Sequence, residues 1–429
     1  EVYDGELPPE ICPACGVGSD KFEEFVIQKI IFSSNKKEKF LIIGGGIAAL
    51  SSAENIRARN KVCDISVISS EELLPYFRPK LSELISTDIN MKELLVYNEN
   101  WYKENGILIK LGVKVNSINP IANNVLHDNN ESMDYDKLII ANGAYCNIPA
   151  IEGSKNEGVF TLRSYRDLIK IKDRVKETKN CVVIGGGLLG LETAWNIKLL
   201  NINIYIVEIA SRILPIQLNE EASEFFESIM IKNNISIIKE KYVRRILGEK
   251  TVTGVEFEDG TRVSCEMVIF SMGVCPNIKL AQDAGIIINR GILVDDKMRT
   301  SINNIWACGD IAEHNSIVYG TWDASKQMGA VAGANACGDE VYFKPLRRAY
   351  SLKAMGTEIF STGEMGLKEK DYEAYLYKDY KKYVYKKALI KNNRIVGSIL
   401  VGDTGDSVKF LRSIKEGFSK EEFLKQNII

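Results

Sequence analysis

Two strand–glycine–helix segments in the sequence predict an α/β fold. The first is Leu41-Ile42-Ile43-Gly44-Gly45-Gly46-Ile47-Ala48-Ala49-Leu50, and the second is Cys181-Val182-Val183-Ile184-Gly185-Gly186-Gly187-Leu188-Leu189-Gly190-Leu191-Glu192. Each joins an apolar, strand-like run to a helix-like stretch, with glycines where the chain turns sharply. A single such motif also marks ordinary tight turns. Two in the same setting predict two Rossmann-like dinucleotide-binding domains, and hence two cofactors that exchange electrons.

Composition narrows the class. The chain has 429 residues, 45% apolar and 26% charged, enough for roughly three domains and a sizeable core. A net charge of −2 gives no global field toward nucleic acid or an acidic membrane surface. Apolar runs are broken well short of the ~18–20 residues of a spanning helix, and the acidic start lacks a secretory pattern. No membrane partner and a cytoplasmic location are therefore expected. Nine cysteines stand at 12, 15, 63, 146, 181, 265, 275, 308 and 337, mostly scattered in apolar surroundings as buried free thiols are. With only His127 and His314 present, chemistry built on an imidazole base has little support.

Along the chain, residues 1–25 form a small segment of their own, and 26–39, ending in the polar run Ser33–Lys39, read as a linker. Residues 40–145 fit the first nucleotide unit and 146–264 the second. Residues 265–337 are assigned back to the first unit on a resemblance described below. Residues 340–429 carry Tyr383-Val384-Tyr385 and Ile395-Val396-Gly397-Ser398-Ile399-Leu400-Val401, which predict a small, strand-rich α+β domain closed by helices.

The glycine positions follow the demands of a pyrophosphate cradle. Gly44 permits the turn, Gly46 lets phosphate approach the backbone, and Ala49 is small enough for close helix–strand packing. The phosphates would then sit at the positive end of the following helix. Glu71, after the strand-like Ile65–Ile68, is the candidate ribose acceptor, although a solvated loop acid is the alternative with Glu72 adjacent. In the second motif Gly185, Gly187 and Gly190 complete GxGxxG. Glu208 ends the next strand about 20 residues on, where a carboxylate accepts the ribose 2′-hydroxyl and repels a 2′-phosphate. NADH is thus expected rather than NADPH, with Arg212 close by.

Three further segments carry a resemblance. Leu74-Pro75-Tyr76-Phe77-Arg78-Pro79-Lys80-Leu81-Ser82, Tyr135–Ala144 with its Ala141-Asn142-Gly143, and Thr300–Asp310 with its Cys308-Gly309-Asp310 resemble motifs of FAD-dependent ferredoxin and rubredoxin reductases, within the pyridine nucleotide-disulfide oxidoreductase superfamily. The match runs from about residue 40 to the end. The resemblance implies one FAD site built from the first glycine motif and Gly309-Asp310, with Asp310 on the ribityl chain; an N-cap role for Asp310 is compatible. It implies a flavin set of Gly44, Gly46, Ala49, Glu71, Arg78, Lys80, Val115, Ala141, Asn142, Gly143, Gly309, Asp310 and Trp322, core packing being the other reading of Trp322. It also implies a nicotinamide side of Gly185, Gly187, Gly190, Glu208 and Gly273, with Glu192 as the candidate catalytic residue; an ordinary helix position is its alternative. Glu83 stands where the family often has lysine, so Lys80 is the cation available there. Disulfide reductases of the superfamily carry Cys-x-x-x-x-Cys after the first glycine motif, whereas residues 71–84 contain no cysteine.

At the N-terminus, Ile11-Cys12-Pro13-Ala14-Cys15-Gly16 resembles the second knuckle of rubredoxin. Two thiolates are half of a tetrahedral site. The expectation is that the sequence starts just after the other pair, making Cys12 and Cys15 ligands of an Fe(Cys)4 centre; zinc or a redox dithiol are the alternatives. The expected function is electron transfer from NADH through FAD to a one-electron iron acceptor, rubredoxin or the chain's own rubredoxin-like module. An NADH-oxidising component related to nitrite reductase large subunits, or a non-catalytic NADH-sensing flavoprotein, are the other readings.

Overall fold

The computed structural model describes residues 30–88, 90–128, 131–345, 349–365 and 372–426. Cys12 and Cys15, and with them the expected metal site, lie outside these residues.

Two five-stranded parallel sheets carry the glycine motifs. The first is ordered Ile305–Ala307, Lys137–Ile140, Lys39–Ile43, Asp64–Ile68, Ile107–Lys110. The second is ordered Ile235–Lys239, Asn203–Glu208, Asn180–Ile184, Met267–Phe270, Val159–Phe160. Their central strands are apolar on both faces because both faces are covered: in the second sheet Cys181 and Val183 pack with the helix residues Leu191 and Phe225, and Val182 and Ile184 with Ile246, Val255 and Phe257 of antiparallel strands. Each unit also carries a three-stranded antiparallel meander, Val115–Asn119 to Glu131–Asp134 in the first and Val243–Leu247 to Arg262–Ser264 in the second.

The chain enters the second unit and returns along one narrow ribbon, Ala144–Cys146 antiparallel to Val274–Pro276. The return comes slightly later than the boundary at 264/265 read from the sequence. Met267–Phe270 pairs in register with Cys181–Ile184 and belongs to the second sheet. A buried apolar strand looks the same whichever sheet it enters, so only pairing reveals its owner.

Helix Ile47–Arg59 of the first unit lies against helix Trp322–Ala336 at very short range. A Cβ on Gly329 would stand 2.2 Å from the Ala48 carbonyl oxygen, and one on Gly333 would stand 2.4 Å from that of Ser52. Ser52 Oγ donates to the Gly329 carbonyl at 3.0 Å across this seam. The contact brings the returning segment, with Gly309, Asp310 and Trp322, beside the first glycine loop.

The C-terminal domain is an antiparallel sheet ordered Ala349–Ala354, Thr357–Gly363, Arg394–Val401, Val384–Lys391, Glu373–Asp379. Helices Ser407–Glu416 and Lys420–Leu424 close one face through Phe410, Ile414 and Phe423. From the other side Leu352, Ile359 and Tyr385 join the core of the second unit. No helix among the described residues is long and apolar enough to cross a membrane.

The helix seam yields the first prediction. Gly329→Val would drive a side chain into the backbone of the facing helix, so a loss of about 2 kcal/mol or more is expected from overpacking. A melting temperature equal to that of the parent would show that the seam is looser than described.

Candidate active site

Both glycine loops open into one cavity of about 1030 Å³. Gly44 has φ +137°, and a Cβ there would stand 2.2 Å from the Ala141 carbonyl oxygen. Gly185 repeats this with φ +115° and the carbonyl of Ser271, also at 2.2 Å. The following Gly46 and Gly187 face open space, where a Cβ would protrude into the cradle. Helices Ile47–Arg59 and Leu188–Lys198 start from these two glycines without a side-chain cap, as does Trp322–Ala336 from Thr321. By contrast, the helices starting after Asn219 and Ser419, and the one starting after Ser164 in the cavity wall, are capped by those side chains. Three helices therefore open onto the cavity with uncapped first-turn N–H groups, the kind of donor a pyrophosphate needs.

The residues read from the sequence divide into two groups. Gly44, Gly46, Glu71, Arg78, Val115, Ala141, Asn142, Gly143, Gly309, Asp310 and Trp322 line the cavity, and from the nicotinamide set so do Gly187 and Gly273. Ala49, Lys80, Gly185, Gly190, Glu192 and Glu208 are not in its wall. Ala49 is fully buried, and a Cβ on Gly190 would stand 2.1 Å from the Gly185 carbonyl oxygen, so both serve packing behind the loops. Lys80 lies over the Phe77 ring, its Nζ 5.3 Å from the centroid, and Phe77 stacks on Trp322 at 5.6 Å and 29°.

A polar network forms one wall. Glu71 accepts from Tyr76 Oη and from Arg78 Nη2, each at 2.6 Å. Arg78 Nη1 donates to the Arg163 carbonyl at 2.5 Å, and Arg163 Nη2 pairs with Asp310 Oδ2 at 2.5 Å. Ser325 Oγ donates to the other oxygen of Asp310 at 3.1 Å. Burial pushes the Tyr76 phenol upward, opposed by Arg78 and reinforced by Glu71. Glu71, proposed for ribose, thus already orders the arginine beside it and keeps lone pairs to spare. Arg163, Ser325 and the Tyr76 hydroxyl were not singled out from sequence. Tyr76 lies inside the Leu74–Ser82 segment, whereas Arg163 is 147 residues from Asp310 and meets it only through folding.

At the crossing ribbon Asn142 and Asn277 exchange bonds. Asn142 Nδ2 donates to the Asn277 carbonyl at 3.1 Å, and Asn277 Nδ2 returns one to the Asn142 carbonyl at 2.8 Å. Asn142 Oδ1 is a buried acceptor with no partner among the described residues, and Asn142 lines the cavity. An acceptor left open in the wall, bare helix starts and a glycine cradle together fit a flavin dinucleotide.

In the second unit Glu208 is buried and accepts from Gly186 N–H at 2.8 Å and Ala210 N–H at 2.9 Å. Arg212 is turned onto its own loop, donating to the carbonyls of Pro215 at 3.0 Å and Leu218 at 3.3 Å. The acid therefore stands beside the loop while the nearby cation is occupied elsewhere. Glu192 lies behind the wall on helix Leu188–Lys198, accepting from Ser82 Oγ at 3.2 Å. Burial pushes its carboxyl up to about 7; the Ser82 bond opposes the shift and the negative charge of Glu83 adds to it. Among the described residues no group of three or more His, Cys, Asp or Glu side chains could hold a metal.

Comparison with known proteins places this geometry. The model of the pyridine nucleotide-disulphide oxidoreductase family matches residues 38–331. The chain belongs to this family. A second model, the rubredoxin NAD+ reductase C-terminal domain, matches residues 349–418. NADH-rubredoxin oxidoreductase of Clostridium acetobutylicum is 33% identical over 380 residues, covering 88% of this chain and 95% of that protein. The crystal structure of NADH:rubredoxin oxidoreductase from the same species aligns with TM-score 0.75 and 30% identity, over 92% of this chain and 100% of the other. Nitrite reductase [NAD(P)H] of Bacillus subtilis is 30% identical over 397 residues, 92% of this chain but 49% of that protein, so the chain spans about half of this relative. As a family member, the chain has the Rossmann-like domains and the C-terminal sheet domain of this fold.

Glu192 gives this site a pH signature. The folded protein retains a proton that the unfolded chain releases near 4.5. Its contribution to stability is complete below that pH and is lost as pH rises through about 7. Glu192→Gln, which cannot titrate, is expected to lessen the decline in melting temperature over that window. Superimposable pH profiles for parent and variant would exclude the assignment.

Proposed function

We propose that this protein passes electrons from NADH through FAD to a one-electron iron acceptor, a rubredoxin or a rubredoxin-like module. The observation that carries the reading is the single cavity into which both glycine loops open. Gly44, Gly46 and the bare start of helix Ile47–Arg59 would hold the flavin pyrophosphate, with Asp310 and Asn142 toward the rest of that cofactor. Gly187 and the start of helix Leu188–Lys198 would hold the pyrophosphate of NADH. FAD, when bound, supplies hydride acceptance and electron release in single steps. The protein's own contribution is then positioning more than proton transfer, consistent with a chain holding two histidines.

The acceptor assignment draws support from the C-terminal domain match and from the Clostridium relative's name. Cys12 and Cys15 are proposed as two of four iron ligands. A second reading, an NADH-oxidising component related to nitrite reductase, is favoured by the relative of which this chain spans about half. Protein given FAD should turn yellow, be bleached anaerobically by NADH, and then reduce added rubredoxin. A preparation that takes up no flavin would end the proposal, and flavin reduction without transfer to rubredoxin would favour the second reading.

Nucleotide choice provides a separate check. With Glu208 beside the loop and Arg212 occupied, NADH should exceed NADPH in kcat/KM by about tenfold or more, and Glu208→Gln should narrow the ratio. Equal efficiency with both nucleotides in the parent would contradict the role given to Glu208.

A further inference from the structure

Between the strands Asp64–Ile68 and Ile107–Lys110 the chain leaves the first unit and buries Leu81, Ile85 and Leu94 in the core of the second. Its short helix Glu83–Ile85 is gripped from two sides. Ser82 Oγ donates to Glu192 Oε2 at 3.2 Å, and Ser86 Oγ donates to Asn196 Oδ1 at 2.7 Å. The two acceptors are one turn apart on helix Leu188–Lys198, tied together by the bond of Asn196 Nδ2 to the Glu192 carbonyl at 2.9 Å. From helix Tyr165–Arg174, Lys172 Nζ donates to the carbonyls of Leu84 at 2.9 Å and Thr87 at 2.6 Å.

Both gripped elements lead directly to the cavity. The excursion presents Arg78, Pro79 and Leu81 in its wall, and helix Leu188–Lys198 starts there at Gly187 and Leu188. Ser86, Asn196 and Lys172 are themselves outside the wall. We infer that these three are positioning residues, a latch that sets the spacing between the flavin-side wall and the second glycine helix, and so the reach of the nicotinamide to the flavin. The inference rests on the NADH-to-FAD reading above. Reacting atoms must meet within a few tenths of an ångström, and a displacement of about 1 Å can lower a rate about a hundredfold. A partial loosening through one lost bond is expected to cost about tenfold.

The test uses the FAD-loaded protein and the variants Ser86→Ala, Lys172→Met and Asn196→Ala. Anaerobic stopped-flow reads flavin reduction at saturating NADH, while fluorescence titration reads FAD affinity. The expected result is reduction slowed about tenfold with FAD affinity within about twofold of the parent, and recovery in Ser86→Thr, which keeps the hydroxyl. Asn196 is buried, so should Asn196→Ala fail to fold, Ser86→Ala and Lys172→Met carry the decision from the more exposed side. Parent-like reduction in those two variants overturns the latch alone. Losses of FAD affinity equal to the losses of rate also overturn it, because they mark general loosening. A parent that NADH does not reduce overturns the electron-transfer reading and the latch with it.

Discussion

Backbone touches backbone at the turn of each glycine loop, and the cavity depends on both contacts. At Gly44 the loop abuts the carbonyl of Ala141, the residue after strand Lys137–Ile140; at Gly185 it abuts that of Ser271, the residue after strand Met267–Phe270. The two contacts occupy equivalent positions in the two sheets. In each, the neighbouring strand is the one at which strand order reverses, so the crevice opens beyond the carboxyl ends of the strands. A side chain at either glycine would push the loop outward and fill the space that the bare helix start needs. The same 2.2 Å approach, made twice, gives one polypeptide two cradles.

The opposite wall is held by charge. Glu71, Arg78, Arg163 and Asp310 alternate in sign, and their side chains remain 12–30% exposed, so each pair by itself adds little to stability. Their value lies in geometry. Arg78 spends its donors on Glu71, Tyr76 and the Arg163 carbonyl, which fixes the start of the excursion. Arg163 in turn orients Asp310 from a segment 147 residues away. The helix seam at Gly329 and Gly333 supplies the apolar counterpart by bringing Asp310 within reach.

What could be read from the sequence follows from the range of the interactions. The glycine loops were legible because turn, cradle and helix start lie within ten residues and each demands a small side chain. Glu208 was legible through its spacing from the glycines. The tie of Arg163 to Asp310 and the Asn142–Asn277 exchange were not, since those partners lie 147 and 135 residues apart. Strand Met267–Phe270 was given to the wrong unit because burial erases the periodicity that might locate it. Glu71 was chosen for its place after the second strand, and its ties to Tyr76 and Arg78 needed coordinates. Ser82 closes the Leu74–Ser82 motif and Ser86 lies just beyond it, yet each reaches a partner 110 residues on, which local sequence does not reveal.

The cysteines bear on where electrons can go. A dithiol relay needs two sulfurs side by side and at least one thiolate, the reactive form. Residues 71–84, where disulfide reductases of this superfamily hold their pair, contain none. Cys308, close to the first glycine helix, is buried against Ser52 Oγ at 3.5 Å, and burial pushes its thiol up to about 12. Cys146 does line the cavity, but burial raises its thiol too, and its cross-strand partner on the ribbon is Val274. The described cysteines are free thiols suited to packing. Trp322 lines the cavity with Phe77 stacked on it, beside the charged wall of Glu71, Arg78, Arg163 and Asp310. Under the reading proposed above no such sulfur pair is needed, because an acceptor that takes electrons singly requires no covalent exchange.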